Sequence, residues 1–187
     1  MKRASSIGFT IVELLIVIVV IAILATITIV SYNGIKQRAQ ISSVAEGLTQ
    51  VKKAFTLWSI TDRLSQWPDE PTYGGGTNLS NMIEDNPGLK ANLQRVPSVI
   101  GVATDEWFYD NDVLQNGPFG VCGNMYDGVN IVLKYISDES IAEGIDAILD
   151  HENSTTQSWE YCGRVKYDKD SGVLFYSLGY TKDDMSN

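Results

Sequence analysis

Gly8, Phe9 and Glu13 are the residues near the N-terminus whose types and spacing suggest chemistry. Gly8 is a small residue that closes a short basic leader, Met1–Ile7. A cut after Gly8 would create an ammonium group on Phe9, about one helical turn from Glu13. In a lateral assembly, that group could pair with the Glu13 carboxylate of a neighbouring copy in an apolar setting.

The stretch from Phe9 to Val30, which contains Glu13, is otherwise almost entirely apolar. Its polar residues are Thr10, Glu13, Thr26 and Thr28. As a helix, about 22 residues at ~1.5 Å each span roughly 33 Å, enough to cross a ~30 Å hydrocarbon layer. Many residues here are β-branched, but a lone segment in lipid can satisfy its backbone only as a helix. The segment therefore predicts a membrane-spanning helix, and its single acid is a functional hypothesis by default.

The junction resembles the class III leader junction of type IV pilins and type II secretion pseudopilins. It reads Gly8-Phe9-Thr10-Ile11-Val12-Glu13-Leu14-Leu15, and the resemblance covers about the first 40 residues. The resemblance implies that a prepilin peptidase cuts after Gly8 and methylates Phe9, and that Glu13 is the assembly carboxylate. Many family members carry a proline late in the apolar run, whereas Thr26 to Gly34 contains none. Gly34 is the candidate for loosening the helix in its place.

The same resemblance implies a non-enzymatic structural subunit of a type IV pilus or related bacterial surface filament. Its expected partners are other copies of the chain in a helical filament, the prepilin peptidase, the assembly machinery and the membrane. A pseudopilin or minor pilin of a secretion or DNA-uptake system shares the same N-terminus and is the first alternative. The second is a monomeric membrane-anchored binding ectodomain, which would retain Met1.

The charge of the chain bears on whether it binds nucleic acid and on its orientation in the membrane. The 187-residue chain has a formal net charge of −9, and 12 basic and 22 acidic residues remain without Lys2, Arg3 and Glu13. Nucleic-acid binding through overall charge is therefore not expected, because phosphate contacts need clustered basic residues. The basic leader predicts an N-in, C-out single-pass protein before assembly and a cell-surface filament afterwards. Lys36 and Arg38 oppose this orientation, but long domains translocate largely regardless of charge.

Beyond the span, the apolar pattern becomes periodic. Ile41, Val44, Ala45, Leu48, Val51, Phe55 and Trp58 recur at spacings of three and four. This spacing forms one stripe on a helix, whose aromatic residues we expect in a core. The simplest prediction is a leader over residues 1–8, a spanning helix over 9–30 and its amphipathic continuation over 31–61. Two helices hinged near Asn33-Gly34 are the alternative.

Residues 62–187 predict an extracytoplasmic domain of loops, strands and short helices. Trp67 to Thr77 is predicted to be a loop because of its prolines and glycines, and Leu79 to Leu93 is predicted to contain a short helix interrupted by Pro87-Gly88.

The rest of the domain is predicted to form strands and one more helix. The strands are predicted at Val96–Val102, Val129–Ile136, Gly163–Tyr167 and Val173–Leu178. An amphipathic helix is predicted from the spacing of Ile141, Ile145, Ile148 and Leu149. The last two strands form a hairpin. An antiparallel sheet on the helix stripe would bury both apolar faces, giving an α+β, pilin-like fold.

The sequence suggests two further sites, a disulfide and a calcium site, each with an alternative interpretation. Cys122 and Cys162, the only two cysteines, predict a disulfide in an exported domain, which resembles the C-terminal disulfide loop of many pilins; two unpaired thiols are the alternative. Asp168 and Asp170 have the alternate spacing of calcium loops, but simple turn chemistry is preferred because the spacing and closing glutamate of an EF-hand are missing. No other cofactor is expected.

Overall fold

The computed structural model describes residues 9–61, 76–111, 129–136, 138–149 and 165–179. The leader, the cysteine pair and most of the loop predicted at Trp67–Thr77 lie outside these ranges. The chain divides into two compact units, Met1–Arg38 and Ala39–Asn187.

The first helix, α1, runs from Ile11 to Thr61. It is one 51-residue helix, with no break at Asn33 or Gly34. Gly34 is tolerated in the helix interior, although glycine costs about 1 kcal/mol relative to alanine there. The part of α1 that belongs to the second unit carries the predicted stripe, and its buried members are Val44, Ala45, Leu48, Val51, Phe55 and Trp58. Ile41 is partly buried, and Ala54, which was not predicted, is buried as well.

The second unit contains one five-stranded antiparallel sheet. The strands are β1 (Thr77–Asn78), β2 (Trp107–Asp110), β3 (Val129–Leu133), β4 (Val165–Asp168) and β5 (Val173–Gly179), in the order β1-β2-β3-β5-β4. Register is set by pairs such as Tyr109 with Ile131 and Ile131 with Tyr176. The predicted α+β arrangement of a long N-terminal helix and an antiparallel sheet is confirmed.

The inner face of the sheet and the stripe of α1 share one core. Alternate residues of each strand point into it because strand side chains alternate between the two faces. They are Trp107, Tyr109, Val129, Ile131, Leu133, Val165, Tyr167, Leu174, Tyr176 and Leu178. The ring of Phe55 stacks on that of Tyr109, with centroids 5.1 Å apart and planes within 10°. Phe55 and Trp58 are core residues, as predicted.

The described residues also contain a 3-10 helix, Thr104–Glu106, and three short α-helices. They are α2 (Leu79–Asp85), α3 (Pro87–Asn92) and α4 (Glu139–Leu149). The predicted interruption is confirmed, since Pro87 begins α3, where its missing N–H group costs nothing. The amphipathic helix is confirmed as α4, which packs closely on α1 because Gly144 lies against Ile41.

The strand predicted at Val96–Val102 is wrong. This segment forms a turn closed by a single bridge between Val99 and Val102. Pro97 has no N–H group to donate to a sheet, and Gly101 has a φ of 83°, in the left-handed region that strands do not use.

The strand predicted at Val129–Ile136 is three residues too long. β3 ends at Leu133 because Tyr135 has a φ of 64°. This conformation is strained for a bulky residue. It is held from both sides, since the Lys134 N–H donates to the Glu106 carbonyl and the Ile136 N–H donates to the Gly172 carbonyl.

Close packing on α1 generates a stability prediction. A Cβ on Gly47 would lie 2.7 Å from a Val99 methyl carbon and 3.0 Å from the Trp107 ring, whereas nothing lies within 4 Å of one on Gly34. Overpacking costs about 1–3 kcal/mol, against a gain of about 1 kcal/mol from helix propensity. We expect Gly47→Ala to lower the unfolding temperature of the full-length protein in detergent, followed by circular dichroism. The matched control Gly34→Ala should have an equal or higher unfolding temperature. An unchanged unfolding temperature in Gly47→Ala would contradict the close contact.

Tyr167 generates a prediction about alkaline pH. Its hydroxyl donates to the Ile136 carbonyl at 2.6 Å, and burial, followed by the charge of Glu139, raises the pKa of Tyr167. Because the folded pKa lies above the unfolded one, this stabilisation is complete below about pH 10 and is lost as the pH rises through the folded pKa. Tyr167→Phe should therefore lower the free energy of unfolding by about 1 kcal/mol at neutral pH. In urea titrations, the difference in free energy of unfolding between the original protein and Tyr167→Phe should be constant from pH 7 to 9 and should decrease above that range.

Candidate functional site

Thr10 and Glu13 form a closed set of hydrogen bonds where α1 begins. The Thr10 N–H donates to Glu13 Oε2 at 2.8 Å, and the Thr10 hydroxyl donates to the same oxygen at 2.6 Å. In return, the Glu13 N–H donates to Thr10 Oγ1 at 3.2 Å. This reciprocal pattern is a capping box, in which residues three apart satisfy each other's backbone donors.

The capping box gives Glu13 a partner within the chain but uses only one of its two carboxylate oxygens. Both hydrogen bonds from Thr10 end on Oε2, and Oε1 accepts none from the residues that the structure describes. The carboxylate also sits in the first turn of the helix, where the macrodipole favours negative charge. One oxygen of a held carboxylate can therefore accept a further donor.

The other polar side chains of the span are satisfied within the helix. The Thr26 hydroxyl donates to the Ala22 carbonyl and that of Thr28 to the Leu24 carbonyl, both at 2.8 Å. Such back-bonding removes the cost of placing a hydroxyl in an apolar medium. Glu13 is therefore the side chain of the span whose polar group still gains from a partner.

The surface of the span is apolar throughout. Between Ile11 and Val30, its large apolar side chains are each 47% to 85% exposed within the single chain. A continuous apolar surface of this kind marks a protein or membrane interface. Among the described helices, α1 is the one that is long and apolar enough to cross a membrane.

The predicted processing residues fall on both sides of the described boundary. Phe9 comes directly before the capping Thr10 and is 82% exposed, so its backbone is not packed against the described chain. Gly8 lies outside the described residues, as do Cys122 and Cys162. The cleavage site and the disulfide stay predictions.

Asp168 and Asp170 lie together in the turn between β4 and β5. Asp168 accepts hydrogen bonds from the Asp170 N–H at 3.0 Å and the Ser171 hydroxyl at 2.5 Å. The Ser171 bond holds the pKa of Asp168 below its usual value. These contacts are turn chemistry. Over the described ranges, no three His, Cys, Asp or Glu side chains are grouped to hold a metal ion, and calcium binding at this turn stays a prediction.

Thr10 is the site residue that the sequence reasoning missed. The signal was present, because Thr10-Ile11-Val12-Glu13 before an apolar run has the spacing of a capping box. Taken alone, Glu13 is an acid in an apolar segment and Thr10 is one of its four polar residues, so the capping role is visible only when the two are considered as a pair.

Comparison with known families agrees with this geometry. Residues 3–29 match the family described as the prokaryotic N-terminal methylation motif. The N-terminus is a prepilin-type cleavage and methylation segment. This segment occurs in type IV pilins and pseudopilins, so the match supports a place for the chain among them. No curated protein and no solved structure matches the chain.

The capping box predicts how the start of α1 responds to substitution. Removing a threonine N-cap costs about 1 kcal/mol, which corresponds to roughly fivefold in a local opening equilibrium. In Thr10→Ala, the amides of the first turn should exchange with deuterium about fivefold faster in the full-length protein in micelles. Thr10→Ser keeps the hydroxyl and should exchange like the original protein. Equal rates in all three proteins would contradict the capping role.

Proposed function

We propose that this chain is a structural, non-catalytic subunit of a type IV pilus or related bacterial surface filament. The observation that carries the proposal is the prepilin-type segment at residues 3–29, in which Glu13 keeps one carboxylate oxygen available. The fold agrees with it, since a long N-terminal helix precedes an antiparallel sheet.

Before assembly, the apolar part of α1 holds the subunit in the membrane with its N-terminus inside and its acidic domain outside. A prepilin peptidase cuts after Gly8 and methylates the new amine of Phe9. The assembly machinery then moves the span from lipid into a bundle with the spans of other copies. Both surroundings are apolar, so the exposed Ile, Val and Leu side chains suit each of them.

Glu13 sets the register in this mechanism. Its available oxygen accepts the ammonium group of Phe9 from a neighbouring copy. Two unit charges about 4 Å apart attract by about 4 kcal/mol at an effective dielectric constant near 20. A wrong register leaves the charges unpaired in the bundle, at a cost of several kcal/mol, so it is rejected.

The capping box gives Glu13 a second role beside the proposed ion pair, and a glutamine substitution separates the two roles. Glutamine can take the place of glutamate in a capping box, because its side-chain oxygen also accepts from the N-cap N–H. It carries no charge, however. Glu13→Gln therefore keeps the helix start and removes the ion pair.

We expect Glu13→Gln and Glu13→Ala to reach the membrane and to lower the yield of sheared surface filaments at least tenfold. The loss of even 1.4 kcal/mol from each register-setting contact corresponds to a factor of ten. The measurement is immunoblotting of sheared and membrane fractions, with Thr10→Ser as the control that keeps both the cap and the charge. Normal filament yield from Glu13→Gln would contradict the ion pair and leave capping as the role of Glu13.

Mass spectrometry of the mature N-terminus tests the processing. A methylated Phe9 is expected, whereas a protein that begins at Met1 would overturn the filament proposal in favour of a tethered ectodomain. A processed protein that is absent from sheared fibres and remains in the membrane fraction would identify a pseudopilin or minor component.

A further inference from the structure

A groove runs beside the part of α1 that belongs to the second unit. It has a volume of about 330 Å³. The helix contributes Ser43, Glu46, Gly47 and Gln50, and the opposite wall is Arg95, Pro97, Ser98 and Val99. Positions 43, 46, 47 and 50 fall on one helix face. We call it the Arg95 groove; its volume is at the lower end of small-ligand clefts, about 300–1,000 Å³.

The groove is built into the fold. Gly47 forms its floor, where any side chain would meet Val99 and the Trp107 ring. The far wall is fixed to the helix because the Ile100 N–H donates to Ser43 Oγ at 3.1 Å. The two walls are therefore held at a set distance before any partner arrives, which lowers the cost of binding.

The rim carries both signs of charge. Among the described residues, Arg95 has no hydrogen bond or ion pair, whereas Lys90, five positions earlier, pairs with Glu84. Glu46 lies on the helix wall and accepts a 3.4 Å hydrogen bond from Gln50. A guanidinium group suits a carboxylate because its fork of N–H donors matches the two oxygens.

The charges favour a peptide over a bare anion. Glu46 repels an inorganic anion that approaches Arg95. An acidic peptide segment offers a carboxylate to Arg95 and backbone N–H groups to Glu46 and Gln50, so both rim charges are matched. The chain itself is acidic, with 23 acidic and 14 basic residues, so a second copy offers the carboxylates that such an occupant needs.

We propose that the Arg95 groove binds an acidic surface segment of a second copy of this chain. The proposal rests on the proposed filament function, which brings copies of the chain side by side. The full chain has a formal net charge of −9, and loss of Lys2 and Arg3 with the leader makes the mature copies more negative, so copies repel one another. A cationic contact between subunits offsets part of that repulsion and directs the copies to one arrangement.

Charge substitutions in the full-length chain test the groove. Arg95→Glu should reduce sheared filaments at least tenfold, because it replaces the cation of the groove with an anion that repels an acidic occupant. Lys90→Glu is the matched control, since it makes the same charge change five residues away, and it should stay within twofold of the original. Circular dichroism of each variant checks that it is folded. Arg95→Glu filaments at the Lys90→Glu level would overturn the proposal.

A photo-cross-linking residue at Ser98 gives a second readout in intact membranes. We expect an adduct of twice the monomer mass whose cross-linked peptide is acidic, and no such adduct from the same probe at Glu143 on α4. No adduct at Ser98, or an adduct with a different protein only, would overturn the proposal. If Glu13→Gln abolishes filaments while Arg95→Glu does not, the groove inference alone fails. If Glu13→Gln assembles normally, the register-setting role in the proposed function has failed.

Discussion

The need to satisfy one carboxylate in an apolar segment is the constraint on which this structure depends. The span tolerates Thr26 and Thr28 because their hydroxyls donate back to the helix. The hydrogen bonds within the chain do not satisfy the Glu13 carboxylate completely. Thr10 occupies one of its oxygens, and a carboxylate has lone pairs for more than the two hydrogen bonds it receives. The same residue therefore starts the helix and keeps an unmet demand for a donor.

The composition of α1 suits two kinds of surroundings. Its first part is apolar on every side, as a helix in lipid or in a bundle of identical helices requires. From Ile41 onward only one stripe is apolar, because a sheet covers that side and water the other. The break in composition lies within a continuous helix, so the change of surroundings requires no change of backbone. Glycines at 47 and 144 then allow close packing that larger residues would prevent.

The elements predicted from the sequence are those whose evidence is local. The periodicity of α1 and α4, and the hairpin turn before Val173, are each visible within a short window. β1 and β2 were missed, since a two-residue strand such as Thr77–Asn78 exists only through its pairing with Phe108 and Tyr109. The segment Val96–Val102 has strand composition but pairs with no strand in the described part of the chain, and its proline and glycine favour the turn that it forms. The end of β3 was missed for a similar reason, because contacts on both sides hold Tyr135 in a conformation that its residue type disfavours.

For the candidate site, the sequence was enough to identify the acid, the glycine and the predicted new N-terminus, because these predictions depend on spacing alone. It did not carry the direction of the carboxylate. In the proposed filament that direction matters, since a carboxylate held by Thr10 has already lost rotamer freedom before the amine of a neighbouring copy binds, which lowers the entropy cost of the ion pair. The capping bond within one chain and the proposed ion pair between chains are therefore not competitors: the first would prepare the geometry that the second requires.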